Sequence, residues 1–515
     1  MTGSPASFTF SELTPTAFLD RSAHAFAHRT AIVDGDRRFT YAEFADRSRR
    51  LAGALADLGV APGDRVAALA TNSHVMLEAH HGVPHAGAVL VPLNTRLSRD
   101  ELVHILGHAG ARVLIVTREL TDLAREVAEE TGVRLVEEGT GEGAYEDLLA
   151  AAEPRVLPVE DERGLLAINY TSGTTGRPKG VMYHHRGAYL QALAMAFHLR
   201  LQPGSRYLWT LPMFHCDGWC FPWGATAAGA THVCLRAIDA EEIWRLIREE
   251  GVTHYCAAPT VLTMIANTPA ADAGPLPDRR VTVGTGGGPP SPTLIARMNE
   301  LGMRVTHLYG LTETYGPAVV NDWHPEWDDL DPEEQARLAA RQGVGNVVCG
   351  GLRVIDESGA DVPADSETLG ELVVRGNDVM LGYYRDEEAT AEVDAGGWFR
   401  TGDLGVVHPD GYAEIRDRSK DVIISGGENI ASVEVERVLD SHPEVIESAV
   451  VGEAHEQWGE VPVAYVTVRS EVDPDDLVAH VRAHLARFKA PRRIVFGDLP
   501  KTSTGKIQKN LLRGT

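Results

Sequence analysis

Short apolar runs alternate with helical stretches from Phe8 to about Gly141, and that alternation leaves few folds open. Arg65-Val66-Ala67-Ala68-Leu69-Ala70 reads as a buried strand, and so do Ala86 to Pro92 and Ala111 to Val116. Between such runs, Tyr41 to Leu58 puts Phe44, Leu51, Leu55 and Leu58 near helical spacing. Strand–helix units in series imply a largely parallel sheet covered by helices, because each crossover returns across a face of the sheet. The units continue through Val233, Val252–Ala258 and Val281–Gly284. The polar segment Asn321 to Gln342 reads as a surface insertion.

After Gly343 the texture changes. Leu352-Arg353-Val354-Ile355, Gly370 to Val374 and Tyr412 to Ile415 are short strands between Gly, Asp and Pro turns. From Asp421 strands and helices alternate again, with Ser432 expected to cap a helix to Leu439. With 515 residues and 43% apolar content the chain can bury more than one core. The expected fold is α/β. A large N-terminal domain, 1–419, has layered βα sheets and a small β-rich subdomain. A small, mobile α+β domain, 420–515, follows a hinge at Lys420.

Charge and cysteine content bound the partners. The net charge of −25 disfavours nucleic acid, whose phosphates need a basic face. No apolar run is long enough to span a membrane. Neither end carries a recognisable targeting signal, so the expected location is cytoplasmic. Cys216, Cys220, Cys234, Cys256 and Cys349 form no Cys-x-x-Cys and are expected as reduced, mostly buried thiols. The chain has six lysines against 42 arginines, and five of the six follow residue 400. Where lysine persists, a compact and flexible charge is indicated.

The densest chemical signal is Tyr170-Thr171-Ser172-Gly173-Thr174-Thr175-Gly176-Arg177-Pro178-Lys179-Gly180, directly after a strand. Its glycines permit close backbone approach, its hydroxyls and N–H groups can wrap an anion, and Lys179 adds charge. Together these suit a polyphosphate. The spacing is not that of the P-loop. A second glycine cluster, Gly284 to Pro290, suits a flat base or an acyl chain. In Tyr309-Gly310-Leu311-Thr312-Glu313-Thr314, Tyr309 offers a stacking face and Glu313 a hard oxygen for Mg²⁺. Gly397 to Asp403 ends in a carboxylate able to chelate two ribose hydroxyls.

Five motifs in order, Tyr170–Gly180, Tyr309–Thr314, Gly397–Asp403, Asp417–Ile430 and Pro500–Lys509, resemble those of the adenylate-forming enzymes over nearly the whole chain. The segments Leu211–Cys220 and Asp417–Asn429 resemble the acyl-CoA synthetases most. The resemblance implies ATP-dependent activation of a small-molecule carboxylic acid to an acyl-adenylate, then transfer of the acyl group to coenzyme A. It implies that Thr171, Ser172, Gly173, Thr175, Gly176 and Lys179 hold phosphates, and that Thr174 and Glu313 bind Mg²⁺. Gly288, Pro289, Tyr309 and Gly310 would line the adenine pocket, and Thr312 would lie near the α-phosphate. Asp403 and Arg418 would bind ribose. Gly286, Gly287, Leu311 and Trp219 would line the acyl pocket, with His215 as the gate to the thiol tunnel and Ser425, Gly426 and Gly427 along it. Lys506 would be the catalytic lysine. The remaining lysines, Lys489, Lys501 and Lys509, are expected at the surface or on CoA phosphates.

The run Gly286-Gly287-Gly288 departs from relatives that carry alanine there, which suggests a pocket widened for a bulkier acid. Ile430-Ala431-Ser432 departs from an aromatic and a proline, a local cap change. Four other readings stay open: transfer to a carrier-protein phosphopantetheine, an adenylate-only enzyme with a separate transferase, adenylate oxidation, and a non-catalytic nucleotide sensor. A homodimer also stays open. Lys506→Ala is expected to abolish adenylation while circular dichroism and ATP affinity stay near wild type; full activity in that variant would remove Lys506 from this role.

Overall fold

The computed structural model describes residues 10–171, 178–274, 280–418, 421–425, 428–455, 458–502 and 505–513. The chain forms two compact units. One comprises Met1–Tyr255, Gly310–Ala318 and Gly376–Glu392; the other comprises Cys256–Tyr309, Val319–Arg375 and Val393–Thr515.

In the first unit, six strands among the described residues form one sheet. Their order is Arg134–Glu137, Ala111–Val116, Arg65–Leu69, Val89–Pro92, Leu165–Tyr170, Gly180–His184. The first five run parallel and the last antiparallel. Val66, Ala67, Ala68, Leu69, Leu90, Leu114 and Ile115 are fully buried, as a sheet covered on both faces requires. The covering helices start where side chains satisfy their first N–H groups. Tyr41–Asp57 has a Thr40/Glu43 capping box, and Arg99–Ala109 has a Ser98/Glu101 box. The strand expected from Ala86 begins only at Val89, because the helix His74–His85 ends against Ala86. A second sheet pairs Arg37–Thr40, Thr30–Asp34, Thr231–Val233 and Arg206–Leu208, to which His254 and Tyr255 add.

In the second unit, Val281–Thr285 and Met303–Leu311 pair in parallel, from Val281 opposite Met303 to Thr285 opposite His307. The expected β-rich subdomain is an antiparallel sheet of Gly351–Ile355, Gly370–Arg375, Phe399–Val407 and Ala413–Arg418. The C-terminal part is α+β: the long pair Val445–His455 and Gly459–Val468, flanked by other strands, packs on helices Ser432–Asp440 and Pro474–His484 through Val435, Leu439, Leu477 and Val481.

Three expectations change. Asn321–Gln342 is not a free surface insertion: Ala336, Leu338 and Ala339 are buried, and Trp327 packs on Tyr412 with ring centroids 5.3 Å apart. Ser432 does not cap its helix. It is the first helical residue; its N–H goes to Asp417, at 2.5 Å, and its hydroxyl accepts from Lys509, at 2.6 Å. The surplus lysines are committed to local carboxylates: Lys489 to Glu434, Lys501 to Glu447 at 2.7 Å, and Lys509 to Glu436 at 2.7 Å. Lys509 is half-buried between Glu436 and the Ser432 hydroxyl. Among the cysteines, four are buried and Cys349 is half-buried, all as thiols. No helix among the described residues is long and apolar enough to cross a membrane.

The helix His74–His85 is buried along its whole length. Burial pushes His80 and His85 down to about 4 and His232, which lies near His80 and His81, down to about 3; burial and the adjacent His85 put His81 well below the imidazole range. The unfolded chain takes up a proton at each site near pH 6.5 and the folded chain does not. Their contribution is therefore complete above pH 6.5 and is lost as pH falls toward 4, at ~1.4 kcal/mol per pH unit for each titrating group. His74, Asp417 and Glu436, raised, and Asp217 and Asp440, raised to about 7 and about 8, act in the opposite sense, but burial also pushes His184, His185, His254 and His307 down to about 4, so the lowered histidines outnumber them. The urea midpoint should therefore drop between pH 7 and pH 5, and His81→Leu should shrink that drop. An equal midpoint at both pH values in the native chain would contradict this account.

Candidate active site

In the first unit the strand Leu165–Tyr170 delivers the chain to Thr171. The Thr171 N–H donates to the Lys179 carbonyl at 3.0 Å, so the glycine-rich loop leaves and returns through one backbone clasp. Ser172, Gly173, Thr174, Thr175 and Gly176 lie outside the described residues. Lys179 and Glu313 do not stand alone. The Lys179 ammonium lies 4.9 Å from the centre of the Tyr383 ring, and the Tyr383 hydroxyl donates to Glu313 Oε1 at 2.8 Å. The Met380 N–H holds the Glu313 carbonyl at 2.8 Å, and the Tyr384 N–H holds the Gly180 carbonyl at 2.6 Å. One tyrosine thus orients a cation by its π face and a carboxylate by its hydroxyl. Burial and Glu313 push the Tyr383 phenol well above its ordinary range, so it remains a donor. Tyr383 was not singled out in the sequence; its only signal is its place in a Gly-Tyr-Tyr-Arg turn about 70 residues beyond Glu313. A half-buried carboxylate fixed in this way suits a hard divalent ion such as Mg²⁺.

The segment after His215 is conformationally unusual. Cys216, Asp217, Gly218, Trp219 and Cys220 have φ of 49°, 41°, 55°, 55° and 61°. A left-handed turn costs roughly 1–2 kcal/mol for each residue with a Cβ, so the surroundings must enforce it. Asn169 Oδ1 accepts from the Asp217 N–H at 3.0 Å. Asn72 Oδ1 accepts from the Met213 N–H at 2.8 Å, while its amide donates to the Trp209 and Leu211 carbonyls at 2.7 and 3.0 Å. The Trp219 ring lies against Gly316, where a Cβ would come within 2.7 Å of the indole. The turn brings the Cys216 Sγ to 3.6 Å from His215 Nε2 and 3.5 Å from the Thr312 hydroxyl. Gly310, Leu311, Thr312 and Glu313 are half-buried, so this run is open to a ligand. Gly310 crosses Gly316 so closely that a Cβ would lie 1.9 Å from the Gly316 carbonyl oxygen. Trp219 is nearly buried, whereas Trp223, Phe221 and Cys220 are core.

In the second unit Tyr309, Asp403 and Arg418 meet. The Tyr309 hydroxyl donates to Asp403 Oδ2 at 2.6 Å, and Arg418 Nε lies 3.2 Å from Asp403 Oδ1. Register explains the second contact, because Asp403 and Arg418 are opposite one another on paired strands. Of the glycine run, Gly286 is buried, Gly287 and Pro289 are exposed, and Gly288 is half-buried. Gly287 has φ of 85°, and a Cβ there would meet nothing within 4 Å. The left-handed backbone at Gly287 favours glycine whatever space surrounds it. Lys506 stands on a tight hairpin. The Thr502 N–H donates to the Lys506 carbonyl at 2.7 Å, the Lys506 N–H returns to the Thr502 hydroxyl at 3.0 Å, and Lys501 bridges Ile507. The Lys506 side chain is exposed. Lys420, Gly426 and Gly427 lie outside the described residues.

Comparison with known proteins adds the following. The AMP-binding enzyme profile matches residues 19–384, and the AMP-binding enzyme C-terminal domain profile matches residues 434–506. An acetate/butyrate–CoA ligase, peroxisomal, of Arabidopsis thaliana is 47% identical, across 99% of this chain and 95% of the relative. A 4-hydroxybutyrate–CoA ligase of Metallosphaera sedula is 41% identical, across 99% and 95%. The ATP-bound crystal structure of MatB from Rhodopseudomonas palustris superimposes with a TM-score of 0.86 at 29% identity, covering 98% of each chain.

Tyr383→Phe keeps the ring beneath Lys179 and removes only the donor to Glu313. The Mg²⁺ concentration giving half-maximal acid-dependent ATP–pyrophosphate exchange should rise roughly tenfold, as for the loss of other outer partners of a metal ligand. An unchanged Mg²⁺ dependence would show that this hydrogen bond does not orient Glu313 for the ion.

Proposed function

The chain belongs to the AMP-binding enzyme family, and on that premise we infer that it is an AMP-forming acid–thiol ligase acting on a small carboxylic acid, ATP and coenzyme A. The observation that supports the catalytic assignment is the placement of Lys506: its exposed side chain follows a turn in which the Thr502 N–H donates to the Lys506 carbonyl, within the Pro500–Lys509 motif.

A carboxylate is a poor acyl donor because oxide would have to leave. In the first step a carboxylate oxygen bonds to the α-phosphorus of ATP, and the bond to pyrophosphate breaks. In the second, the thiol sulfur bonds to the acyl carbon, the acyl–oxygen bond breaks, AMP leaves with the electron pair, and the thiol proton passes to solvent. Negative charge gathers on the phosphate in the first step, and a positioned cation lowers that barrier. Lys506 is the group for this role. Lys179, with Thr171, Ser172, Gly173, Thr175 and Gly176, would hold the outer phosphates. Asp403, oriented by Tyr309 and Arg418, would hold ribose. Mg²⁺ on Glu313 and Thr174 would supply further positive charge to the phosphates. His215, on its constrained turn, would stand at the acyl end with Trp219.

The two steps need different groups at the same acyl carbon, and Lys506 would obstruct the thiol. A swing of residues 420–515 about Lys420 resolves this. The chain's extensive match to named CoA ligases favours CoA over a carrier protein as acceptor. The relatives' names span acetate, butyrate, 2-methylpropanoate and benzoate, so short aliphatic and aryl acids are the proposed substrate range. Free thiols favour a reducing compartment, and we place the protein in the cytoplasm, although several plant relatives are named peroxisomal.

The test incubates the protein with ATP, Mg²⁺, CoA and a graded panel of acids, with acyl-AMP and acyl-CoA followed by mass spectrometry. Acyl-CoA from short or aryl acids is the expected result. Acyl-AMP accumulating without thioester would move the acceptor to a carrier protein or a separate transferase, and no adenylate from any acid would overturn the reading.

A further inference from the structure

The turn that presents Lys506 is seated on a helix elsewhere in the second unit. Gly505, with φ of 83°, has its carbonyl 2.9 Å from the Thr260 hydroxyl, which donates to it. A Cβ at position 505 would lie 2.4 Å from that hydroxyl oxygen and 3.6 Å from the Ala258 Cβ. The fit is therefore close as well as polar. Thr260 lies in the first turn of the helix Pro259–Ala266, and Asn267 caps its other end. At that other end the Asn267 side-chain oxygen accepts from the Arg469 guanidinium, just past the strand Gly459–Val468. One short helix thus receives the C-terminal segment at two points, and one of them is the residue adjoining the catalytic lysine.

A hydroxyl has no role in the chemistry at this position, because it reaches a backbone carbonyl rather than a side chain. Its effect is to fix where Gly505 sits, and hence where the next residue begins. We propose that Thr260 is a positioning residue for the adenylate-forming step, its hydroxyl clasping the Gly505 carbonyl so that Lys506 is held in the arrangement required for that step alone. This rests on the two-step reading above. If Lys506 must withdraw before the thiol attacks, the clasp opens between the half-reactions, and its loss penalises only the first. A single, partly exposed hydrogen bond contributes modestly, so the population of the clasped arrangement should fall several-fold rather than vanish.

The discriminating experiment uses the full-length enzyme with Thr260→Val, which keeps the shape and removes the donor, and Thr260→Ser, which restores it. Acid-dependent ATP–pyrophosphate exchange reports the first half-reaction. Acyl-CoA formed from chemically synthesised acyl-adenylate and CoA reports the second. The valine variant should lose roughly fivefold in the maximal exchange rate, with little change in the KM for ATP or acid. It should keep wild-type thioester formation from added acyl-adenylate, and serine should recover most of the loss. Equal losses in both half-reactions, no loss in either, or failure of serine to rescue would overturn the clasp. Native enzyme inactive in both assays would instead overturn the ligase reading, and the clasp with it.

Discussion

Five consecutive left-handed residues, Cys216 to Cys220, are held against their own backbone preference, and the surroundings of His215 in the first unit are organised around that constraint. Such a turn would relax in isolation. Here Asn72 and Asn169 provide side-chain hydrogen bonds on either side of it, and Gly316 makes room for Trp219. The result places His215, Cys216 and Thr312 in one chain of contacts. Strain of this kind persists only where the surrounding structure over-determines it. Asp217, in the middle of the turn, is fully buried, and neither of its carboxylate oxygens has a hydrogen-bond partner among the described residues. Burial pushes this carboxyl up to about 7, so near neutral pH a large share is uncharged and the turn avoids burying a full charge.

Charge elsewhere is handled by pairing. The chain is strongly acidic, yet several of its buried carboxylates meet cations locally: Asp34 and Glu138 share Arg236, and Glu78 and Glu146 share Arg47. Burial works against the charge of Asp34 and Glu138, but His74 and Arg236 for the one, and Arg236 and Arg118 for the other, outweigh it and keep both ionised. The same rule sorts the lysines. Lys489, Lys501 and Lys509 complete ion pairs, and Lys179 lies over the face of the Tyr383 ring. Scarcity of lysine in the sequence therefore does not by itself separate a ligand-facing lysine from one fitted to a neighbouring carboxylate.

Much of this protein was determined by sequence alone. Periodicity specifies the βα alternation, because side-chain direction repeats every two residues in a strand and about every 3.6 in a helix. The order of motifs specifies the family. Asp403 and Arg418, fifteen residues apart in the chain, were legible as a pair through those motifs, and strand register then puts them opposite each other. What tertiary structure alone decided is anything that depends on distant backbone meeting. Tyr383 acquires its role from Lys179 and Glu313, Asn72 from residue 213, Gly287 from a dihedral angle, and Thr260 from a carbonyl 245 residues away. No spacing rule reaches across such separations. A hydrogen bond or a close contact is set by position to a fraction of an ångström, and that position exists only once the whole chain has packed.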